Sequence, residues 1–208
     1  MSKPQTIQTI REYNEFRFKE KGSLFIGQAF PVENEEEFNE RLNLIKKEFY
    51  DATHHCYAYK LLDEKFKYSD DGEPNGTAGI RIYNAIQHFD LKNTGVVSIR
   101  YYGGTKLGVG PLGKAYYQSA FTVLENSSIY KKEKYSYLKI IFRFDQTNLV
   151  HHLISSFNGR ISDNLFENNS PAITCFVKNK AEEKFINELK NSSNGSIELI
   201  KINESYLE

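Results

Sequence analysis

The clearest periodicity in the chain runs through EEEFNERLNLIKKEF, where Phe38, Leu42, Ile45 and Phe49 recur at spacings of four, three and four. That spacing predicts one apolar stripe on a helix. Asn34 stands at the N-cap position, glutamates crowd the first turn, and Lys46 and Lys47 fall near the end, as the helix dipole favours. Before it, SLFIGQAFPV (23–32) reads as a strand ending at Pro31; after it, HHCYAYKL (54–61) is short, aromatic and strand-like. Ile82, Ile86 and Phe89 predict a second helix over 77–89. TGVVSIRYY (94–102) is a β-rich run entered through Gly95 and left through Gly103-Gly104, and Leu112, Tyr116, Ser119 and Val123 form the inner stripe of a third helix over 110–126.

The pattern then changes character. KYSYLKIIFRF (134–144) alternates like a half-buried strand, and QTNLVHHLISSF places Leu149, Leu153 and Ile154 on one side of a helix. GRISDNLFEN and SPAITCFVK read as two strands joined by a turn around Asn168-Asn169-Ser170-Pro171. AEEKFINELK predicts a helix and SIELIKI a closing strand. The order β-α-β-β-α-β is the split βαβ, ferredoxin-like plan. The polar connector at 128–132 sets the expected domains at 1–130 and 131–208, an α+β chain without internal repeats.

Composition narrows the function classes. The 208 residues carry 27 basic and 27 acidic side chains, a formal charge of zero, so whole-molecule attraction to nucleic acid or anionic lipid is not expected. Tyrosine and phenylalanine are abundant, which argues for packed cores rather than disorder. MSKPQTIQTIREYNEF has no uninterrupted apolar core, so no signal peptide is expected, and no stretch approaches the ~20 apolar residues of a membrane helix. Cys56 and Cys175, far apart in sequence, read as reduced thiols of a cytoplasmic protein. Zero net charge conceals a local asymmetry: 91–124 has no acid but holds Lys92, Arg100, Lys106 and Lys114, whereas acids dominate 63–73.

Two stretches carry the candidate chemistry. In YYGGTKLGVGPLGKAYY (101–117) a strand ends, glycines and a lysine follow, and a helix begins, so backbone N–H groups beside Lys106 offer an anion site. The competing reading is a tight turn and a close strand–helix contact. Gly108 and Gly113-Lys114 have phosphate-loop spacing, but Ala115 stands where magnesium would need Ser or Thr. Pro111 suits the first turn of a helix. The other stretch, SDDGEPNGTAG (69–79), gathers Asp70, Asp71 and Glu73 ahead of Thr77, a candidate N-cap. Its acids do not alternate as in a calcium loop, and pairing of Asp70 or Asp71 with Arg100 or Lys106 would brace the two loops. His54 and Cys56 share one face of their strand and His55 takes the other, too few ligands for zinc.

The segments Asp51–Tyr59, Ser69–Gly79 and Val97–Gly108, three separated signatures in one order, resemble the IMPACT/YigZ family over roughly residues 20–128. The resemblance implies an N-terminal two-layer α/β domain like the second domain of a small-subunit ribosomal protein. It also implies a ferredoxin-like C-terminal domain similar to the fifth domain of elongation factor G. Eukaryotic relatives regulate translation initiation. The family pattern Gly-Gly-Leu-Val/Ile-Arg is here Gly110-Pro111-Leu112-Gly113-Lys114, which keeps the charge but not arginine's bidentate geometry.

The leading expectation is a non-enzymatic binding protein linked to translation, contacting RNA, the ribosome or a translation-associated protein, without a metal or cofactor. Its candidate surface is Asp70, Asp71, Gly72, Glu73, Gly76, Thr77 and Gly79 with Arg100, Tyr102, Gly103, Gly104, Lys106, Gly108, Gly110 and Lys114. Tyr57, Tyr59 and Tyr101 are further stacking candidates, although alternation buries about half of such residues. The rivals are an enzyme acting on a phosphate-bearing or other anionic substrate, with the acidic loop and Lys106 lining one cleft, and a pure protein-interaction module.

Overall fold

The computed structural model describes residues 4–167 and 169–208. It divides into two compact units, Gln8–Lys131, and Lys132–Glu208 with residues 4–7. The division thus falls one position past 130/131, and residues 4–7 group with the second unit. The elements run β1 (Thr6–Ile10), β2 (Asn14–Glu20), β3 (Ser23–Pro31), α1 (Glu35–Glu48), β4 (His54–Lys60), β5 (Phe66–Ser69), α2 (Gly79–His88), β6 (Thr94–Tyr101) and α3 (Val109–Glu125). They continue with β7 (Ile129–Ile141), α4 (Thr147–Ser156), β8 (Arg160–Glu167), β9 (Ser170–Lys178), α5 (Glu182–Ser192) and β10 (Glu198–Leu207). Asn168, in the predicted turn before β9, lies outside the described residues.

The Gln8–Lys131 unit is built on an antiparallel sheet ordered β2-β3-β6-β4-β5. Side chains alternate across it. Phe25, Ala29, Cys56, Ala58 and Val96 pack beneath α2 and α3 through Ile82, Ile86, Leu112, Tyr116 and Val123. Ile26, Phe30, Tyr59, Val97 and Ile99 meet α1 through Phe38, Leu42 and Ile45 on the other face. The two layers of the expected plan are the sheet and the α2/α3 pair, and α1 adds cover on the remaining face. Both faces being covered explains why β6 is buried along nearly its whole length rather than alternating between buried and exposed positions. Asn34 caps α1 as expected, its side chain accepting the Glu37 N–H.

In the second unit β10 pairs β7, β7 pairs β9 and β9 pairs β8, all antiparallel. This order is the ferredoxin-like arrangement of a β-α-β-β-α-β chain. Val150, Leu153 and Ile154 of α4 and Phe185 and Leu189 of α5 bury one sheet face through Leu138, Ile140, Ile173, Cys175 and Val177. The chain is therefore α+β. Among the described residues no helix is long and apolar enough to cross a membrane.

Candidate functional site

The acidic loop connects β5 to α2, and each of its carboxylates has its own internal task. Asp70 Oδ1 accepts the N–H groups of Ala78 and Gly79 at 2.9 and 2.8 Å, and Oδ2 accepts that of Gly76 at 2.9 Å. One carboxylate thus satisfies the opening of α2, where the N-cap position falls on Ala78, which has no side-chain acceptor. The expectation of Thr77 as N-cap is corrected: its hydroxyl donates to the Pro74 carbonyl at 2.6 Å, and the cap comes from eight residues upstream. Asp71 accepts the His55 N–H at 2.6 Å, tying the loop to β4, and lies 3.6 Å from Lys46.

Glu73 is the buried acid. Its Oε1 lies 2.6 Å from Arg100 Nη1, accepts the Tyr116 hydroxyl at 2.7 Å, and is 3.8 Å from His54 Nε2. Alternation along β6 turns Arg100 inward beneath the helices, where it is only 5% exposed. Its Nη2 donates to Ser23 Oγ at 3.2 Å, and its guanidinium lies over the Phe25 and Tyr102 rings. The bracing pair is therefore Glu73–Arg100, not Asp70 or Asp71 with Arg100 or Lys106. Arg100 is an interior cation rather than a surface one. The Arg100 Nε, buried, has no hydrogen-bond partner among the described residues.

The glycine-rich segment follows from β6. Gly103 packs backbone to backbone on the β2–β3 turn; a Cβ there would sit 1.9 Å from the Gly22 carbonyl carbon, so only glycine fits without moving the turn. Gly108 is the N-cap of α3 at φ +85°, a conformation other residues rarely adopt, and it supplies no side-chain acceptor. Pro111 occupies the first turn as expected. The turn reading and the anion-site reading are thus compatible: the glycines fit close turns and leave the opening of α3 uncapped. Gly72, Gly76 and Gly104 occupy positive-φ positions, and Gly79 packs on the Ser69 backbone.

The two loops share a cleft. A cavity of about 480 Å³ has a polar side of Thr53, His54, Glu73, Arg100 and Lys106, and an apolar side of Pro74, Tyr102, Leu107, Val109 and Leu112, with Gly108 between. A second hollow of about 400 Å³ lies along α2 and α3, bounded by Arg81, Asn84, Gly110, Gly113, Lys114 and Tyr117. Arg81 and Asn84, absent from the expected surface, carry no local motif; only the packing of α2 against α3 brings them beside Lys114. Lys106, Lys114 and Arg81 make no ion pair among the described residues. Of the tyrosines, Tyr102 is 46% exposed, Tyr59 is buried against Phe38, Tyr57 also packs on Phe38, and the Tyr101 hydroxyl donates to Asp51. Tyr57 and Tyr59 therefore leave the list of stacking candidates: alternation sends them to the α1 face.

The Cys56 thiol donates to the Asp70 carbonyl at 3.0 Å, and burial pushes its pKa well above the ordinary range. It is a packing group, as is Cys175, whose burial pushes it up to about 12. Neither thiol is expected to react with iodoacetamide at pH 8 in the folded protein, whereas both react in urea; mass spectrometry of the alkylated protein checks this. Among the described residues no three His, Cys, Asp or Glu side chains cluster as a metal site, and the three loop acids point to different internal partners.

Comparison with known proteins places the geometry. Residues 21–124, which include the acidic loop, the cleft and nearly all of α3, match the Impact N-terminal domain. The chain is 28% identical over 208 residues to the IMPACT family member YvyE of Bacillus subtilis, covering 96% of this chain and 93% of that protein. It is 35% identical over 169 residues to an IMPACT family member of Haemophilus influenzae, covering 77% and 80%. A crystal structure titled as that of a hypothetical protein superposes with a TM-score of 0.68 at 23% identity over 96% of this chain and 98% of that one, a likeness of fold. The chain belongs to the IMPACT family.

Proposed function

We propose that this chain is a non-enzymatic binding protein of translation control that contacts RNA, free or within the ribosome, through Lys106, Lys114 and Arg81. The carrying observation is the distribution of partners. Every carboxylate of the acidic loop is engaged inside the fold, while these three cations beside the first turns of α2 and α3 have no ion-pair partner among the described residues. A chain of zero net charge thereby presents a positive surface where it matters locally. Tyr102, half exposed beside Lys106, offers a face on which a base can stack. The family adds the setting, because its eukaryotic members regulate translation initiation.

The rival reading, an enzyme for an anionic substrate, gains support from the shared cleft. Its acid–base group would be Glu73, whose Oε1 already serves Arg100 and Tyr116. A carboxylate held that way stabilises a loop better than it moves protons, which favours binding over catalysis.

The test is the binding of a single-stranded oligouridylate and of purified ribosomal subunits across a salt series. Three phosphate contacts give a slope of log K against log salt near −2, at about −0.7 per contact. Lys106→Glu, Lys114→Glu and Arg81→Glu should each flatten it by about 0.7 or more. Absence of binding to both targets, or slopes unchanged in all three variants, overturns the proposal.

A further inference from the structure

We infer that β8 is a self-association edge, pairing antiparallel with β8 of a second copy about a two-fold axis at Asn164. β8 ends its sheet: β9 lies on one side, and no strand among the described residues lies on the other. Six of its eight residues are exposed, so the open ladder is reachable along its length. The carrying observation is that the strand complements itself. A bulge between Ile161 and Asp163 leaves Ser162 unpaired with β9. With Ser162 passed over in both copies, Arg160 falls opposite Glu167, Ile161 opposite Phe166, Asp163 opposite Leu165, and Asn164 opposite Asn164 of the second copy. Directly opposed residues in an antiparallel pair must share a face, and all of these do. Arg160, Asp163, Leu165 and Glu167 lie on the face away from α4 and α5, and Ile161, Asn164 and Phe166 on the helix side, where their β9 neighbours include the core residues Cys175 and Ile173.

Charge and apolar surface match at the same register. Arg160 is exposed and makes no ion pair among the described residues. Glu167 holds Lys139 through Oε2, which leaves Oε1 for the guanidinium of the second copy. The two-fold axis forms this pair twice. Ile161 is 39% and Phe166 61% exposed, and the ring of Phe144, 68% exposed, lies 5.9 Å from that of Phe166. Pairing would cover Phe166 with Ile161 of the second copy, and the reverse. A strand from another protein could satisfy the open backbone, but the coincidence of charged and apolar partners at one register favours this chain itself. An edge of eight residues buries less than a standard interface, so a weak dimer is expected, with a dissociation constant on the order of 10–100 µM. This inference does not rest on the RNA reading, whose Lys106, Lys114 and Arg81 belong to the other unit.

The test is sedimentation velocity of the full chain, without RNA, from micromolar to millimolar concentration, alongside amide hydrogen exchange. Wild type is expected to pass from monomer to dimer, with exchange slowed in β8 and unchanged in β10. Arg160→Glu sets a glutamate against Glu167, and Glu167→Lys sets a lysine against Arg160, each twice in a dimer. Either variant alone should therefore dimerise about 10-fold more weakly. Both side chains reach solvent, so folding is retained, which circular dichroism checks. An equimolar mixture of the two variants restores opposite charges at both pairs and should dimerise about as tightly as wild type. A chain that stays monomeric throughout, leaving the edge to a strand of another protein, overturns the inference. So does dimerisation that neither variant weakens, or a mixture that associates no better than each variant alone.

Discussion

Replacing Glu73 with alanine is expected to destabilise the Gln8–Lys131 unit by about 3–5 kcal/mol, the cost of leaving a buried charge without its partner. Arg100 is 5% exposed, and its counter-ion is Glu73 at 2.6 Å. The same substitution strips the buried Tyr116 hydroxyl of the acceptor it holds at 2.7 Å. Glu73 and Arg100 are 9% and 5% exposed at the edge of the cleft, so water should relieve only part of the loss. Urea unfolding followed at the amides of α2 and α3, which keeps the other unit from blurring the transition, gives the number. Glu73→Leu combined with Arg100→Met should recover most of the loss, because a buried pair replaced whole by apolar side chains is close to neutral. If Glu73→Ala alone costs less than about 1 kcal/mol, the pair is solvated like a surface bridge.

The second large effect belongs to Asp70. Asp70→Ala should cost roughly 3 kcal/mol, because the N–H groups of Gly76, Ala78 and Gly79 lose a charged acceptor together. No nearby side chain substitutes: the N-cap residue of α2 is Ala78, and the Thr77 hydroxyl is directed to Pro74. Hydrogen exchange should localise the damage, with protection lost first at Gly76, Ala78 and Gly79. Asp70→Asn, which keeps one oxygen, should fall between alanine and wild type. Unchanged protection at those three amides in Asp70→Ala would contradict the capping role.

Much of this molecule could be read along the chain. The stripe of Phe38, Leu42 and Ile45 gives α1, and the strand–helix alternation after residue 134 gives the ferredoxin-like order, because period and burial coincide there. β1, β2 and β5 escape such reading. NEFRFKE and FKYS mix aromatic residues with charges, and β2 and β5 are the edge strands of their sheet, where one side of the ladder faces no neighbour and the apolar signal is weak. The candidate site was legible as two segments but not as a pairing. Sequence spacing shows that acids precede a helix and that glycines follow a strand. It does not show which of Asp70, Asp71 and Glu73 meets Arg100, because that depends on the inward turn of β6 and on Tyr116 arriving from α3. The unpartnered Nε and the position of Arg81 beside Lys114 are likewise products of packing.

The account turns on negative charge being drawn inward, with Glu73 fastened to Arg100, so that the cleft and its surroundings face outward as cations and amides. A double-mutant cycle on Glu73→Ala and Arg100→Ala measures this directly. A coupling of about 2–3 kcal/mol is predicted for groups bonded to one another away from water. Effects that simply add, to within about 0.5 kcal/mol, would show that the two side chains act separately and would contradict the account.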